Sequence, residues 1–195
     1  MLVISHRRNT IDQLRETPIE FGVEVDIRSH GADLIIHHDP FTPGLRFNDW
    51  LEHYRHRFVI LNVKEEGLEQ ALLDCMKRCG IEDFFFLDQS FPFLIRTVRS
   101  GESRVAIRYS EFESIETAMS LAGKIDWVWV DCFTHLPLDA VAAAKFRAAR
   151  IKTCIVSPEL HGRDGLVEIP AMRAMLKASG VVPDAVCTKM PGLWA

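Results

Sequence analysis

Two carboxylates stand two residues apart in an otherwise apolar stretch of the sequence. Glu24 and Asp26 lie in the run FGVEVDI, and side chains at i and i+2 of an extended strand point to the same face. Like charges held this close repel, which raises a carboxyl pKa unless a cation joins them. A hard divalent metal such as Mg²⁺ or Ca²⁺ suits oxygen ligands of this kind. The alternative is a solvated pair on an edge strand.

A second pair with the same spacing follows in the run FVILNVK. The amide of Asn62 offers a neutral oxygen to the same metal. Lys64 offers a point charge that suits a phosphate oxygen, although a lysine also marks the solvated end of many strands. The two pairs together predict a site that combines metal ligands with a phosphate-binding cation.

Two histidines after apolar runs are candidate proton carriers. His6 follows LVIS, and His38 lies near the end of the run DLIIHHD. Imidazole accepts or donates a proton near neutral pH, although a lone histidine is more often structural. Because adjacent residues on a strand face opposite sides, only one of His37 and His38 is expected to enter the site.

The elements that must position these groups alternate along the chain. Many apolar runs are continuous, as in parallel strands that are covered on both faces, and amphipathic segments separate them. The predicted strands are Leu2–His6, Gly22–Arg28, Phe58–Lys64, Phe84–Asp88, Arg104–Tyr109, Trp127–Cys132, Lys152–Ser157 and Ala185–Lys189. Between the second and third strands, DLIIHHD predicts a hairpin arm, and a short helix is expected near Asn48–His56.

Capping residues mark the expected helix boundaries. Ser90 and Ser114 are each expected to cap a helix. Pro170 predicts the first turn of a last helix that ends at Gly180. The segment Glu66–Cys79 carries apolar residues at helical spacing and predicts a helix packed on the core.

Eight strands with intervening helices predict a compact (β/α)8 barrel of the TIM type, formed as one α/β domain by residues 1–195. An open doubly wound sheet is the alternative. The active site of such a barrel lies at the carboxyl ends of its strands, where the candidate residues fall. The later strand ends and their loops add Arg108, Glu159 and Lys189 as candidates for contact with substrate or phosphate.

The composition excludes several classes of protein. A net charge of −4 over 195 residues argues against a general nucleic-acid binder. No apolar stretch approaches the roughly 18 residues that span a bilayer, so no membrane partner is expected. Five cysteines without a CxxC motif indicate reduced thiols and predict a cytoplasmic protein. Cys75 and Cys79 share a helix face, where buried apolar side chains are expected rather than a metal pair.

Taken in order, these motifs resemble those of the glycerophosphodiester phosphodiesterases, a family of phospholipase-C-like (β/α)8 barrels. The matching motifs are the His-Arg pair at His6-Arg7, the Asn-Thr at Asn9-Thr10, the Glu-x-Asp at Glu24-Val25-Asp26, the His-Asp-Pro at His38-Asp39-Pro40 and the Ser-Phe at Ser90-Phe91. Each motif is weak alone, and their order and spacing carry the resemblance.

The resemblance implies metal-assisted hydrolysis of a small-molecule phosphodiester. The implied roles are general acid and base for His6 and His38, phosphate binding for Arg7 and Lys64, and ligation of Mg²⁺ or Ca²⁺ for Glu24, Asp26 and Asn62. Which histidine is the acid and which the base stays open.

The sequence departs from the family pattern at the metal site. The third metal carboxylate of the family is Asn62 here, and the aspartate that many members have in the last strand is Lys189. Asp131 or Glu159 is a candidate replacement for the missing carboxylate. The alternative function is therefore a catalytically weakened or inactive barrel that binds a phosphorylated ligand.

Overall fold

A computed structural model describes all 195 residues as a mostly parallel sheet that curls on itself, with helices outside it. The strands are β1 Leu2–Ser5, β2 Gly22–His30, β3 Asp33–Ile36, β4 Leu45–Arg46, β5 Phe58–Val63, β6 Phe84–Leu87, β7 Ala106–Tyr109, β8 Trp127–Val130, β9 Lys152–Val156 and β10 Ala185–Thr188. The helices are α1 Ile11–Glu16, α2 Phe47–Leu51, α3 Glu69–Cys79, α4 Phe91–Arg99, α5 Ile115–Met119, α6 Ala140–Ala148 and α7 Gly165–Ser179, with 3-10 turns at Pro158–His161 and Pro191–Leu193. The α/β class expected from the sequence is confirmed.

The parallel strands pair with their neighbours along the chain, and the first strand pairs with the last. Ladders join β1 to β2, β2 to β5, β5 to β6, β7 to β8, β8 to β9, and β9 to β10. A further ladder joins β10 to β1. The pairing between β6 and the start of β7 is a single β-bridge, from Phe86 to Val105. The antiparallel strands β3 and β4 form the hairpin arm expected beside β2.

The curl of the sheet divides the core into an inner and an outer part. An inner cluster of 12 buried residues fills the space enclosed by the sheet, and Trp127 and Trp129 belong to it. A larger cluster of 39 buried residues packs between the sheet and the helices. On β2 the inner face begins with Gly22, where an added Cβ would lie 2.9 Å from a side-chain carbon of Ile4. Only glycine fits between the two strands there.

Every predicted strand is present, with ends that differ by at most two residues. The helix expected from Glu66 begins at Glu69, and the one expected near Asn48–His56 covers only Phe47–Leu51. Ser114 caps α5 by accepting a hydrogen bond from the Glu116 N–H. None of the helices combines the length and the apolar composition needed to cross a bilayer.

Two local predictions are wrong. Pro170 does not open the last helix, because Asp164 caps α7 further upstream by accepting from the Leu166 N–H at 3.0 Å. Pro170 lies within α7, where its missing N–H removes only one helical hydrogen bond. Cys79 is exposed at the last residue of α3, whereas Cys75 is buried as expected. All five cysteines are free thiols.

Candidate active site

The alternation that places Gly22 inside the curled sheet also points Glu24 and Asp26 inward, and both side chains are fully buried. Glu24 accepts hydrogen bonds from the Arg7 N–H at 2.7 Å and from Asn62 Nδ2 at 2.8 Å. Asp26 accepts from Asn9 Nδ2 at 2.8 Å. A solvated pair on an edge strand is therefore excluded.

Burial decides the protonation of the first carboxyl and of the nearest histidine. Burial, and then the neighbouring Asp26, raise the pKa of Glu24 to about 7, against the hydrogen bonds from Asn62 and Arg7. The Nε2 atom of His6 lies 3.7 Å from Glu24 Oε2. Burial, followed by the charges of Arg7 and Lys189, lowers the pKa of His6 to about 3. His6 is therefore neutral near pH 7.

Arg7 bends the chain sharply where β1 ends. Its φ of 51° is in the left-handed region, which costs a non-glycine residue roughly 1 kcal/mol or more. This conformation accompanies the hydrogen bond from the Arg7 N–H to Glu24, while Nε lies 3.5 Å from Asp26 Oδ2. The strained turn therefore presents both the main-chain donor and the guanidinium of one residue to the two carboxylates.

Lys64 continues the inward-facing row of β5 that contains Asn62. Its Nζ lies 3.3 Å from Asp26 Oδ1 and 3.3 Å from Asp88 Oδ2. Arg108 then binds Asp88 from the next strand. Burial opposes ionisation of Asp88, but Arg108 and Lys64 hold its pKa below the usual value. Acidic and basic side chains thus alternate along one side of the open end of the curled sheet, at the carboxyl ends of its strands. This open end is called the mouth below.

This row of alternating charges, the charge array, consists of Asp26, Lys64, Asp88 and Arg108. It continues to β8 and to the turn after β9. Arg108 binds Asp131, whose other oxygen lies 3.1 Å from His161 Nε2. Burial raises the pKa of Asp131 although Arg108 and His161 oppose it. Arg108 is thus part of the charge array of the mouth.

The hairpin arm presents its two histidines differently. His37 Nδ1 accepts the Asp39 N–H at 3.0 Å, which uses this ring to fix the turn. The His38 side chain is 43% exposed, and its Nδ1 lies 2.9 Å from Asp39 Oδ1. Arg28 donates to the His38 carbonyl at 2.9 and 3.0 Å and to the Lys64 carbonyl at 3.3 Å. One guanidinium therefore ties the hairpin to the strand end that carries Lys64.

Glu159 organises the loops that follow β9 and β10. Its Oε1 accepts from the Thr188 hydroxyl at 2.6 Å and from the Lys189 N–H at 2.8 Å, and its Oε2 accepts from Ser157. Both carboxylate oxygens are therefore used within the protein. The Lys189 side chain is exposed, and its charge lowers the pKa of His6. Lys189 is thus the part of this loop that is free to meet an anion.

The candidate metal ligands are two carboxylates and one amide. No cluster of three His, Cys, Asp or Glu side chains suited to a metal occurs in the chain, so neither Asp131 nor Glu159 completes the site. The buried Asn62 Oδ1 has no hydrogen-bond partner, and the buried Asp26 Oδ1 is contacted only by Lys64 Nζ, at 3.3 Å. Mg²⁺ commonly binds through one or two carboxylates and keeps water or phosphate as its other ligands. The donor set therefore fits a hard divalent cation.

Two residues that shape the mouth escaped the sequence analysis. Asp88 follows an apolar run, and its sequence position indicates only the polar end of a strand. In the structure its φ is 63°. Arg28 is visible only through its tertiary contacts, because its carbonyl partners are 10 and 36 residues away. The one available signal was their position at predicted strand ends.

Solved structures share this fold. A crystal structure of a glycerophosphodiester phosphodiesterase from Agrobacterium tumefaciens matches with a TM-score of 0.69 and 16% identity, covering 99% of this chain and 97% of that one. A glycerophosphoryl diester phosphodiesterase from Parabacteroides distasonis matches with a TM-score of 0.66 and 10% identity, covering 98% and 84%. No protein-family model and no curated protein matches the sequence. At these identities the likeness establishes only the fold, an α/β structure with a curled sheet.

Proposed function

We propose that the protein is a metal-dependent phosphodiesterase that cleaves glycerophosphodiesters or related small diesters. The observation that carries the proposal is the convergence of Glu24, Asp26, Lys64, Arg7 and His6 at one end of the curled sheet. The shared fold with two such enzymes supports it. Carboxylates for a cation, cations for a phosphate and a neutral imidazole are the parts this reaction needs.

The scaffold of this proposal is a closed (β/α)8 barrel. Eight parallel strands follow one another around the sheet, and β10 pairs with β1. In this proposal the Phe86–Val105 bridge closes the circuit between β6 and β7. The site residues then lie at the carboxyl ends of the strands, where barrel enzymes place their chemistry.

Glu24, Asp26 and the Oδ1 atom of Asn62 would hold Mg²⁺ or Ca²⁺, which would neutralise phosphate charge and orient the diester. Arg7 and Lys64 bind the non-bridging oxygens, where negative charge accumulates during the displacement. Each cation already lies within 3.5 Å of Asp26, so both are directed at the same point.

The two histidines move the protons. An attacking hydroxyl oxygen bonds to phosphorus while neutral His6 takes its proton. The bond from phosphorus to the leaving alcohol breaks, and His38 delivers a proton to that oxygen. In this proposal His6, whose Nε2 lies 3.7 Å from Glu24, is the base, and the half-exposed ring of His38 suits a group that protonates a departing alcohol.

The proposal is tested by hydrolysis of glycerophosphocholine and bis(p-nitrophenyl) phosphate with EDTA, Mg²⁺, Mn²⁺ or Ca²⁺. We expect turnover only with a divalent cation, and a loss of about 100-fold or more in His6→Ala and in His38→Ala. His30→Ala is the control, because this histidine is exposed and makes no side-chain hydrogen bond. Turnover near the wild-type rate in both histidine variants would contradict the acid–base pair.

A second candidate is a barrel that binds a phosphorylated ligand without cleaving it. It is favoured by one observation: Asn62 gives Glu24 an N–H donor where a third carboxylate would otherwise strengthen the metal site. Binding of glycerol 3-phosphate by calorimetry, without turnover under any metal condition, would decide for this function.

A further inference from the structure

A cleft of about 520 Å³ opens beside the charge array, between the loops that follow β6 and β7. Its volume is within the range of about 300–1,000 Å³ that is usual for small-molecule sites. Asp88 and Arg108 are among its lining residues. Because Lys64 lies 3.3 Å from both Asp88 and Asp26, a single side chain separates this cleft from the candidate metal ligands.

The remainder of the cleft combines apolar side chains with the polar side chains of Gln89, Glu113, Ser114 and Thr117. Phe91 and Leu94 line one side from α4, and Ile107 and Phe112 line it from β7 and the following loop. Phe91 is 50% exposed and Phe112 is 77% exposed. Two large aromatic rings therefore flank the cleft without being covered by the rest of the chain. Exposed apolar surface that adjoins a polar site is typical of a binding site.

The cleft has a structural cause in the sheet. Between β6 and β7 the strands meet only at the Phe86–Val105 bridge. Beyond that bridge no ladder holds Leu87 and Asp88 against Ile107 and Arg108, and α5 is only five residues long. The gap between β6 and β7, called the seam below, therefore opens toward the mouth. It extends the site sideways and leaves room there for part of a bound molecule.

We propose that this cleft binds the apolar part of one substrate alcohol, so that the preferred substrate is a phosphodiester whose alcohol carries an alkyl or aryl group. The inference rests on the proposed function for the position of the phosphate. Arg108, 36% exposed in its side chain, faces the alcohol end of the diester, and the phenyl rings cover the apolar group. An alcohol as small as ethanol leaves the apolar walls empty.

The test compares glycerol phosphodiesters of ethanol and of 1-hexanol, both dissolved as monomers. We expect kcat/KM to favour the hexyl diester by at least about tenfold, since apolar groups in such clefts discriminate by 10-fold or more. Thr117→Trp fills the cleft from an exposed position on α5, and brings the hexyl-to-ethyl ratio toward one. Ser120→Trp is the matched control, because Ser120 is exposed, ends the same helix and does not line the cleft. Ser120→Trp is expected to keep the wild-type preference for the hexyl diester.

A binding measurement separates this inference from the proposed function. Calorimetry with n-hexyl phosphate and ethyl phosphate requires no turnover. A preference for the hexyl ester that Thr117→Trp removes supports the cleft even if no diester is cleaved. Equal affinity for the two esters in the wild type, or a preference unchanged by Thr117→Trp, overturns it.

Turnover measurements with vesicles distinguish a dissolved substrate from a lipid. A glycerophosphodiester with a long alkyl chain is presented in phosphatidylcholine vesicles beside the monomeric hexyl diester. Faster turnover in vesicles that Thr117→Trp abolishes assigns the cleft to a lipid chain, whereas a preference seen with monomers assigns it to a dissolved diester. An effect of vesicles that Thr117→Trp leaves unchanged, with no preference among monomers, overturns the inference.

Discussion

Asn62 occupies the position in which a glutamate would add a third carboxylate to Glu24 and Asp26. Its Nδ2 donates to Glu24 at 2.8 Å, while its buried Oδ1 has no partner. The amide thus stabilises the pair without adding negative charge. A carboxylate there would repel two buried neighbours in the absence of a cation, and would add a strong oxygen ligand in its presence.

We therefore expect Asn62→Glu to bind Mg²⁺ and Ca²⁺ at least about tenfold more tightly than the wild type. The same variant is expected to unfold at lower temperature in EDTA, because a third buried carboxylate lacks a counter-charge. Calorimetric titration and thermal denaturation with and without metal measure both effects. Asn62→Gln keeps the amide and serves as the control. Unchanged metal affinity in Asn62→Glu would show that position 62 does not face the cation.

At the scale of elements, the hairpin arm depends on Arg28 for its position above the site. Arg28→Met keeps most of the side-chain length but loses the hydrogen bonds to the His38 and Lys64 carbonyls. We expect kcat to fall by about tenfold or more, because displacement of a catalytic group by about 1 Å has effects of this size. Steady-state kinetics should show the loss in kcat more than in KM, with partial rescue in Arg28→Lys.

The matched control for Arg28 lies on the hairpin arm itself. Arg46 is exposed and pairs only with Asp33 at 3.2 Å, so Arg46→Met is expected to leave kcat within about twofold, as for other exposed ion pairs. Equal losses of kcat in the two variants would mean that the arm responds to charge in general, rather than to the two carbonyl contacts.

The loop after β8 is held by a carboxylate from the loop after β7. Glu111 accepts hydrogen bonds from the main-chain N–H groups of Thr134 at 2.7 Å and His135 at 2.9 Å. Burial opposes ionisation, but these donors lower the pKa of Glu111 from 4.5 to about 2. The folded protein then binds fewer protons than the unfolded chain between these values. The stabilisation is complete above pH 4.5 and is lost as the pH falls toward 2.

Glu111→Gln is therefore expected to lower the free energy of unfolding by about 1–2 kcal/mol at pH 7. The difference from the wild type should shrink between pH 4.5 and pH 2. Denaturant titrations at pH 7, 4.5 and 3 measure it. Glu20→Gln is the control, because Glu20 is exposed and makes no side-chain hydrogen bond. A difference that is constant with pH would show that Glu111 acts by packing rather than by charge.

For the whole molecule, strand alternation made the inner face of the site predictable. The i, i+2 spacing of Glu24 and Asp26 predicted that both carboxylates share one face of the strand, and both are buried on the inner face. Contacts made across the fold were not predictable. Arg28 reaches two carbonyls from distant segments, and Asp88 acquires its partners only when β5, β6 and β7 meet. The predicted start of the last helix at Pro170 was wrong because a proline fits the start of a helix better than its interior, where this one lies.

Neighbouring strands of the sheet are joined by unequal numbers of hydrogen bonds, and the weakest joint predicts where the fold opens first. The ladder between β1 and β10 runs from Leu2 to Ser5, whereas β6 and β7 share only the Phe86–Val105 bridge. Local opening begins where the fewest hydrogen bonds must break. In hydrogen-exchange mass spectrometry, we expect peptides that cover β7 to exchange faster than peptides that cover β1 and β10. Equal protection of these strands would contradict the weak joint, and slower exchange of β7 with n-hexyl phosphate would place that molecule at the same seam.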